Sequence, residues 1–216
     1  MEEIKIIPKP DKVSWDDIHQ LLLAAHKRNI EKGVVLNYAQ MPGEAIEKKL
    51  GPEGCCWVAM DGDKLVGTTS VTYFQGRSWW NKGKIVAHGC FTGILKEYQG
   101  IGILEELYEK KYEHIRNSGV DMIEGDTAEN NRVAIKVFKK EGHKFVSYFA
   151  SPSASDHYSI RIVKWLNNCP YSDSYINRRF QIAKILTKMQ YKRGRVERSY
   201  IISLFCRVVN KILKYK

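Results

Sequence analysis

Two hydrophobic periods take turns along the first 165 residues of this chain, and their order sets the fold class. Ile4-Lys5-Ile6-Ile7 reads as a short strand stopped by Pro8 and Pro10. Ser14 then stands as a helix N-cap ahead of Asp16 and Asp17, and Ile18, Leu21, Leu22 and Ala25 recur at helical spacing. Glu44–Leu50 predicts a second, shorter helix ending at Gly51. Cys55–Met60 and Lys64–Tyr73 flank Asp61-Gly62-Asp63, the pattern of a hairpin. A polar loop with Gly76, Trp79, Trp80 and Gly83 leads to a further strand, whose end is Cys90-Phe91-Thr92-Gly93-Ile94-Leu95.

The helical period then returns. Leu104, Leu107, Tyr108, Tyr112 and Ile115 share one side, and Gly119 stops the run. Asp121–Thr127 reads as a strand, Asn131–Glu141 as a helix, and Lys144–Phe149 and Tyr158–Val163 as closing strands. Strands and helices in this mixed order predict an α/β fold around one central mixed sheet flanked by helices. Beyond Trp165 the pattern changes again. Ile176, Phe180, Ala183, Leu186 and Met189 fall at helical spacing, Lys192-Arg193-Gly194-Arg195 interrupts them, and Ile201, Phe205, Val208 and Ile212 resume it.

Charge divides the chain at the same place. The formal net charge is +11, yet residues 1–165 carry 23 Lys/Arg against 22 Asp/Glu, while residues 166–216 carry 12 against 2. Residues 1–165 therefore read as one domain, and 166–216 as a basic, amphipathic helical extension. That extension admits three readings: peripheral contact with an anionic membrane through 176–216, a cap or homodimer arm, and, less favoured by its composition, nucleic-acid binding. With 44% hydrophobic residues the chain can bury one sizeable core. No apolar run approaches eighteen residues, and Met1-Glu2-Glu3-Ile4 is not a signal-peptide start. Five cysteines without zinc or CxxC spacing fit reduced thiols in a cytoplasm, at the inner membrane surface if the tail meets lipid, and predict no metal site.

The chemistry-bearing pattern is Gln99-Gly100-Ile101-Gly102-Ile103-Leu104 between a strand and a helix. Glycines there can take positive φ and bring a phosphate close to unpaired helix N-terminal amides. Downstream, Asn131, Ala134 and Phe138 recur on one helix, followed by Lys140-Glu141-Gly142-His143. Together these segments resemble the two cofactor motifs of the GNAT superfamily, the GCN5-related N-acetyltransferases, over about residues 1–165. Gln99, Gly102 and Leu104 fall on the first motif, Asn131 and Ala134 on the second. Two positions depart: Leu104 stands where the motif has a small residue, and Phe138 where a tyrosine often protonates the departing thiolate.

The resemblance implies a GNAT-like fold and acetyl-coenzyme A as co-substrate. Gln99, Gly100, Ile101, Gly102, Ile103 and Leu104 would face the pyrophosphate, and Thr92, Gly93 and Ile94 would pair with the pantetheine arm. The Ile94 N–H would point at the thioester oxygen. Asn131 would contact the pantetheine, Ala134 would let it pass, and Phe138 would border it; Asn131 could also be a plain helix cap. His88, an even number of residues before Ile94, is a candidate base placed on the same strand face, with a buried sheet histidine as the competing reading. Glu124 and Asp126 are its rivals. Tyr148, Tyr158 or water would have to supply the general acid, and Cys90 reads as packing. The expected reaction is direct attack of a primary amine on acetyl-CoA in a ternary complex, the acceptor a small molecule or an amino sugar, with protein or peptide amines and polyamines open, and Trp79-Trp80 as a shelf for a sugar ring or a hydrophobic amine. The alternatives are a non-catalytic CoA-binding module and an adaptor whose tail is the active part.

Overall fold

The computed structural model describes residues 3–32, 38, 41–150 and 158–192. Seven strands form one sheet in the order β1-β2-β3-β4-β5-β7-β6, from β1 (Lys5–Pro8), β2 (Cys55–Asp61), β3 (Lys64–Gln75), β4 (Ile85–Ile94), β5 (Met122–Ala128), β6 (Lys144–Ala150) and β7 (Tyr158–Trp165). Every neighbouring pair is antiparallel except β4 and β5. The helices are α1 (Trp15–Glu31), α2 (Gly43–Leu50), α3 (Ile103–Asn117), α4 (Arg132–Lys140) and α5 (Asp173–Lys192).

Local signals set the helix ends. Ser14 Oγ accepts from the Asp17 N–H at 3.0 Å and the Asp17 carboxylate accepts from the Ser14 N–H at 2.8 Å, a reciprocal cap that starts α1. Burial then assigns the faces. Ile18, Leu22, Ile46 and Leu50 of α1 and α2 pack with Val58, Met60 and Phe91 on one face of the sheet. On the other, Ile103, Leu107 and Ile115 of α3 pack with Val66, Val71, Ala87, Ile94 and Ile123. Ile135 and Phe138 of α4 join Ile160 and Ile162.

The first part of the basic segment is a layer of this fold. Ile176 lies in one core cluster with Val86, Met122, Val146 and Val163, and Phe180 in another with Tyr148, Ile160 and Ile162. Thr187 Oγ1 donates to the Tyr148 carbonyl at 2.9 Å, so α5 also covers the open edge of β6. Ile176 and Phe180 consequently face the sheet, and neither is presented to a lipid surface; Ile185 and Met189 remain exposed. Ile201, Phe205, Val208 and Ile212 lie outside the described residues. Among the described residues no helix is long and apolar enough to cross a membrane.

Candidate active site

Two features of β4 make the site. The first is a bulge. Ser70 pairs with Cys90 and Thr68 with Gly93, so Phe91 and Thr92 together oppose Thr69, and Phe91 takes a φ of 49°. The carbonyl of Thr92 accepts a hydrogen bond from His26 Nε2 at 2.8 Å, and Asn29 Nδ2 lies 3.3 Å from His26 Nδ1, which ties α1 to the bulge. The second feature is a fork. β4 and β5 run parallel and pair only from Val86↔Met122 to His88↔Glu124. Beyond that point they separate, and Gly89 and Gly125 stand on either side of the vertex, with the Gly89 carbonyl 3.9 Å from where a Gly125 Cβ would sit.

The fork opens into a cleft of about 830 Å³. At one end lies the glycine turn. Gly100 and Gly102 have φ of 83° and 94°, conformations that L side chains avoid, and Gly102 is the α3 N-cap with no side chain satisfying the first helical amides. Gln99 Nε2 donates to the Ile94 carbonyl at 3.0 Å and fixes the turn against the strand end. Asn131 begins α4 on the same cleft, its Oδ1 accepting from the Ala134 N–H at 3.1 Å. Two helix N-termini thus present positive dipole ends to one space, a donor set suited to phosphate oxygens.

At the other end the polar groups are side chains. Glu124 is fully buried, and its carboxylate accepts from Trp80 Nε1 at 2.8 Å, from Asn81 Nδ2 at 2.9 Å and from Arg161. Arg161 also grips Asp126 through Nε and, at 3.1 Å, through Nη2. Burial raises the Asp126 carboxyl above the usual range although Arg161 opposes it, and a third of the side chain still reaches solvent. Glu124 and Asp126 both line the cleft, joined by Cys90, Phe91 and Tyr38.

The sequence profile of the Acetyltransferase (GNAT) family matches residues 15–143, more than half of the chain and the stretch that holds the bulge, the fork and the glycine turn. The chain belongs to this family. Solved structures carry the same fold. An acetyltransferase from Streptococcus agalactiae 2603 superposes with a TM-score of 0.58 at 19% identity, covering 77% of this chain and all of that one. The NatC complex bound to Gag peptide and CoA gives 0.58 at 13%, with the same coverages. NAA60 of Arabidopsis thaliana in complex with a bisubstrate analogue gives 0.57 at 14%, covering 76% and 98%. No curated protein matches the chain significantly in sequence.

On this GNAT framework, Thr92, Gly93, Ile94, Gln99, Gly100, Gly102, Ile103, Leu104, Asn131, Ala134 and Phe138 all line the cleft. Ile101 does not; its side chain turns outward, half exposed. Leu104, the departure from the small residue of the motif, also packs against the α3 core cluster.

His88 departs from expectation. The bulge at Phe91–Thr92 breaks the alternation, so His88 and Ile94 project from opposite faces: His88 sits with Glu124 while Ile94 packs with α3. His88 is not among the cleft-lining residues, and burial, reinforced by Arg161, pushes its imidazole down to about 3. It is neutral at physiological pH and a weak proton acceptor. The Trp79-Trp80 shelf is likewise corrected. Trp80 is tied to Glu124, Trp79 stacks edge-on with Tyr171 and Tyr175, and neither lines the cleft. Tyr148 donates to Glu129 and stacks on Tyr158, also outside the cleft lining. Tyrosines do reach the cleft, as Tyr108 and Tyr112 of α3, the latter donating to Glu141 Oε2 at 3.0 Å.

The periodicity argument missed Lys111 and His26. Lys111 follows Leu107 by four residues and faces inward with the apolar stripe, a placement its charge disguised. His26 sits one residue past the apolar Ala25, on the side of α1 that meets the bulge.

Proposed function

We propose that this acetyltransferase moves the acetyl group of acetyl-CoA to the primary amine of a small molecule, amino sugars being the first acceptors to try. What carries the reading is that one cleft joins the uncapped α3 N-terminus to Glu124 and Asp126, which Arg161 holds together. The turn from Gln99 to Leu104 would hold the pyrophosphate on backbone amides, with Gly100 and Gly102 giving close approach. The pantetheine arm would then run along Ile94, Gly93 and Thr92 toward the fork. Solved relatives of the same fold are described with CoA and with acetyl-CoA bound, which supports the same co-substrate here.

The amine would approach from the Glu124–Asp126 side, where two carboxylates face one guanidinium and favour a cation. Asp126, partly exposed and with its pKa raised, takes the proton that must leave the ammonium or the zwitterionic intermediate. Glu124, held by three donors, positions Arg161. The neutral amine attacks the thioester carbonyl, whose oxygen draws on an N–H of β4 at Ile94. One such preorganised donor contributes about 3 kcal/mol of transition-state stabilisation. The C–N bond forms, the C–S bond breaks, and the CoA thiolate departs. With a thiol pKa of about 8.5 it leaves without a tyrosine at Phe138 and takes its proton from water. Burial pushes the Cys90 thiol up to about 12, so this cleft-lining cysteine is a poor nucleophile and the reading takes direct attack as the route.

Tyr38 and Phe91 line the acceptor end with their rings 6.2 Å apart, apolar surface on which a sugar ring can pack. Thiol release from acetyl-CoA, followed across amino sugars, polyamines and peptide amines, tests the proposal. It predicts amine-dependent release with at least one class. Release no faster than thioester hydrolysis with every class would overturn it.

A further inference from the structure

Lys111 is 4% exposed, yet it lines the cleft. Among the described residues it forms no ion pair, and its hydrogen bond goes to Thr69 Oγ1 at 3.3 Å. A lysine ammonium has three donors, and a buried cation without a counter-charge is costly. Burial lowers Lys111 only to about 8, so it stays mostly protonated at neutral pH. Glu124 and Asp126 project from the other face of the sheet and are held by Arg161. Glu141, the carboxylate that does act on Lys111 through space, is engaged by the Tyr112 hydroxyl.

The position of the amine decides what it meets. Nζ lies 3.4 Å from where a Gly89 Cβ would stand, directly beneath the vertex of the fork. Thr69, which it touches, is 2.8 Å by hydroxyl from Thr92. A cofactor arm entering from Gln99 reaches Ile94 and Thr92 first and Gly89 last. On that path Lys111 would lie beyond the thioester, at the end the acyl group would enter. Tyr108, 3.8 Å from Nζ by its ring centre, and the two threonines surround the amine with polar and π groups.

We propose that the acyl end of the cleft, besides taking acetyl, receives a short dicarboxylic acyl group whose free carboxylate pairs with Lys111. This rests on the acyl-CoA reading of the cleft given above. In a four-carbon diacid thioester the carboxylate carbon is three C–C bonds from the thioester carbonyl, a reach of roughly 4 Å, and Lys111 is linked to the cleft-lining Thr92 by two short contacts, 3.3 Å to Thr69 and 2.8 Å from Thr69 to Thr92. Such a ligand would supply the missing counter-charge, and the ammonium would recognise it by a charge-assisted hydrogen bond.

Calorimetric titration with succinyl-CoA, butyryl-CoA, acetyl-CoA and free CoA tests this without an acceptor. The wild-type protein is expected to bind succinyl-CoA at least about tenfold tighter than butyryl-CoA, its uncharged four-carbon counterpart. Lys111→Met should erase that ratio while leaving free CoA affinity unchanged, and Thr69→Val, which keeps the charge, should only reduce it. A wild-type ratio near one, or one that survives Lys111→Met, overturns the inference while CoA and acetyl-CoA binding still uphold the cleft. Failure of every CoA species to bind overturns both. If Lys111→Met abolishes acetyl transfer with the ratio unchanged, Lys111 is a catalytic residue and the acyl assignment is wrong.

Discussion

At the Gln99–Leu104 end of the cleft the expected donors are backbone amides, whereas at the fork's far side the polar groups are side chains from β5, β7 and the 78–81 loop. The first end is local: one turn, two positive-φ glycines and a helix N-terminus that no side chain caps. The second is assembled over long sequence distances, with Trp80 and Asn81 reaching Glu124 more than forty residues away and Arg161 joining from a third element. A site made of backbone tolerates side-chain change as long as the φ angles survive. One made of buried charges does not, because removing one partner strands another.

Substitutions at the two ends should therefore separate binding from turnover. The largest effect is expected from Asp126→Asn. Loss of a positioned base lowers kcat on a responsive amine by about 10²–10⁴-fold, with acetyl-CoA affinity within twofold of wild type; steady-state kinetics alongside titration would show it. Gly102→Val forces a β-branched residue into φ 94° and should weaken CoA binding by about 10–100-fold, from a strain of 1–3 kcal/mol. An acetyl-CoA affinity unchanged by Gly102→Val would break the backbone half of the comparison.

Away from both ends, Ile176→Ala should lower unfolding stability by about 2–5 kcal/mol through the cavity it leaves among Val86, Met122 and Val163. Cofactor affinity at temperatures where the protein stays folded should not move. The smallest effect is expected at His88. Its folded pKa of about 3 lies below the unfolded value near 6.5, so the unfolded chain binds more protons between those limits. Stability is then full above about pH 6.5 and is lost as pH falls through that window. His88→Gln should flatten this slope in urea titrations at successive pH values, and should change kcat at neutral pH by no more than a few-fold.

Legibility in the sequence followed the same divide. The strand–turn–helix around Gly102 and the Asn131–Ala134 helix start could be read from residue spacing, because each is a local backbone device. The α1 cap was equally plain in Ser14 and Asp17. The Phe91–Thr92 bulge was not: one extra residue carries no compositional mark, yet it moved His88 to the wrong face for the role its spacing suggested. Lys111 was hidden for a different reason. Buried lysines break the polar-outside pattern, and only packing against Gly89 and Thr69 shows that this one points inward. Trp79 and Trp80 misled because large aromatics before a site strand can be either a ligand shelf or a brace, and here they brace α5 and Glu124.

Titration of the wild-type protein with acetyl-CoA and free CoA, with Gly102→Val alongside, tests the central claim most directly. Saturable micromolar binding that Gly102→Val weakens would place the cofactor on the amides of the glycine turn. Absence of binding up to millimolar concentrations, or binding indifferent to Gly102, would contradict the account.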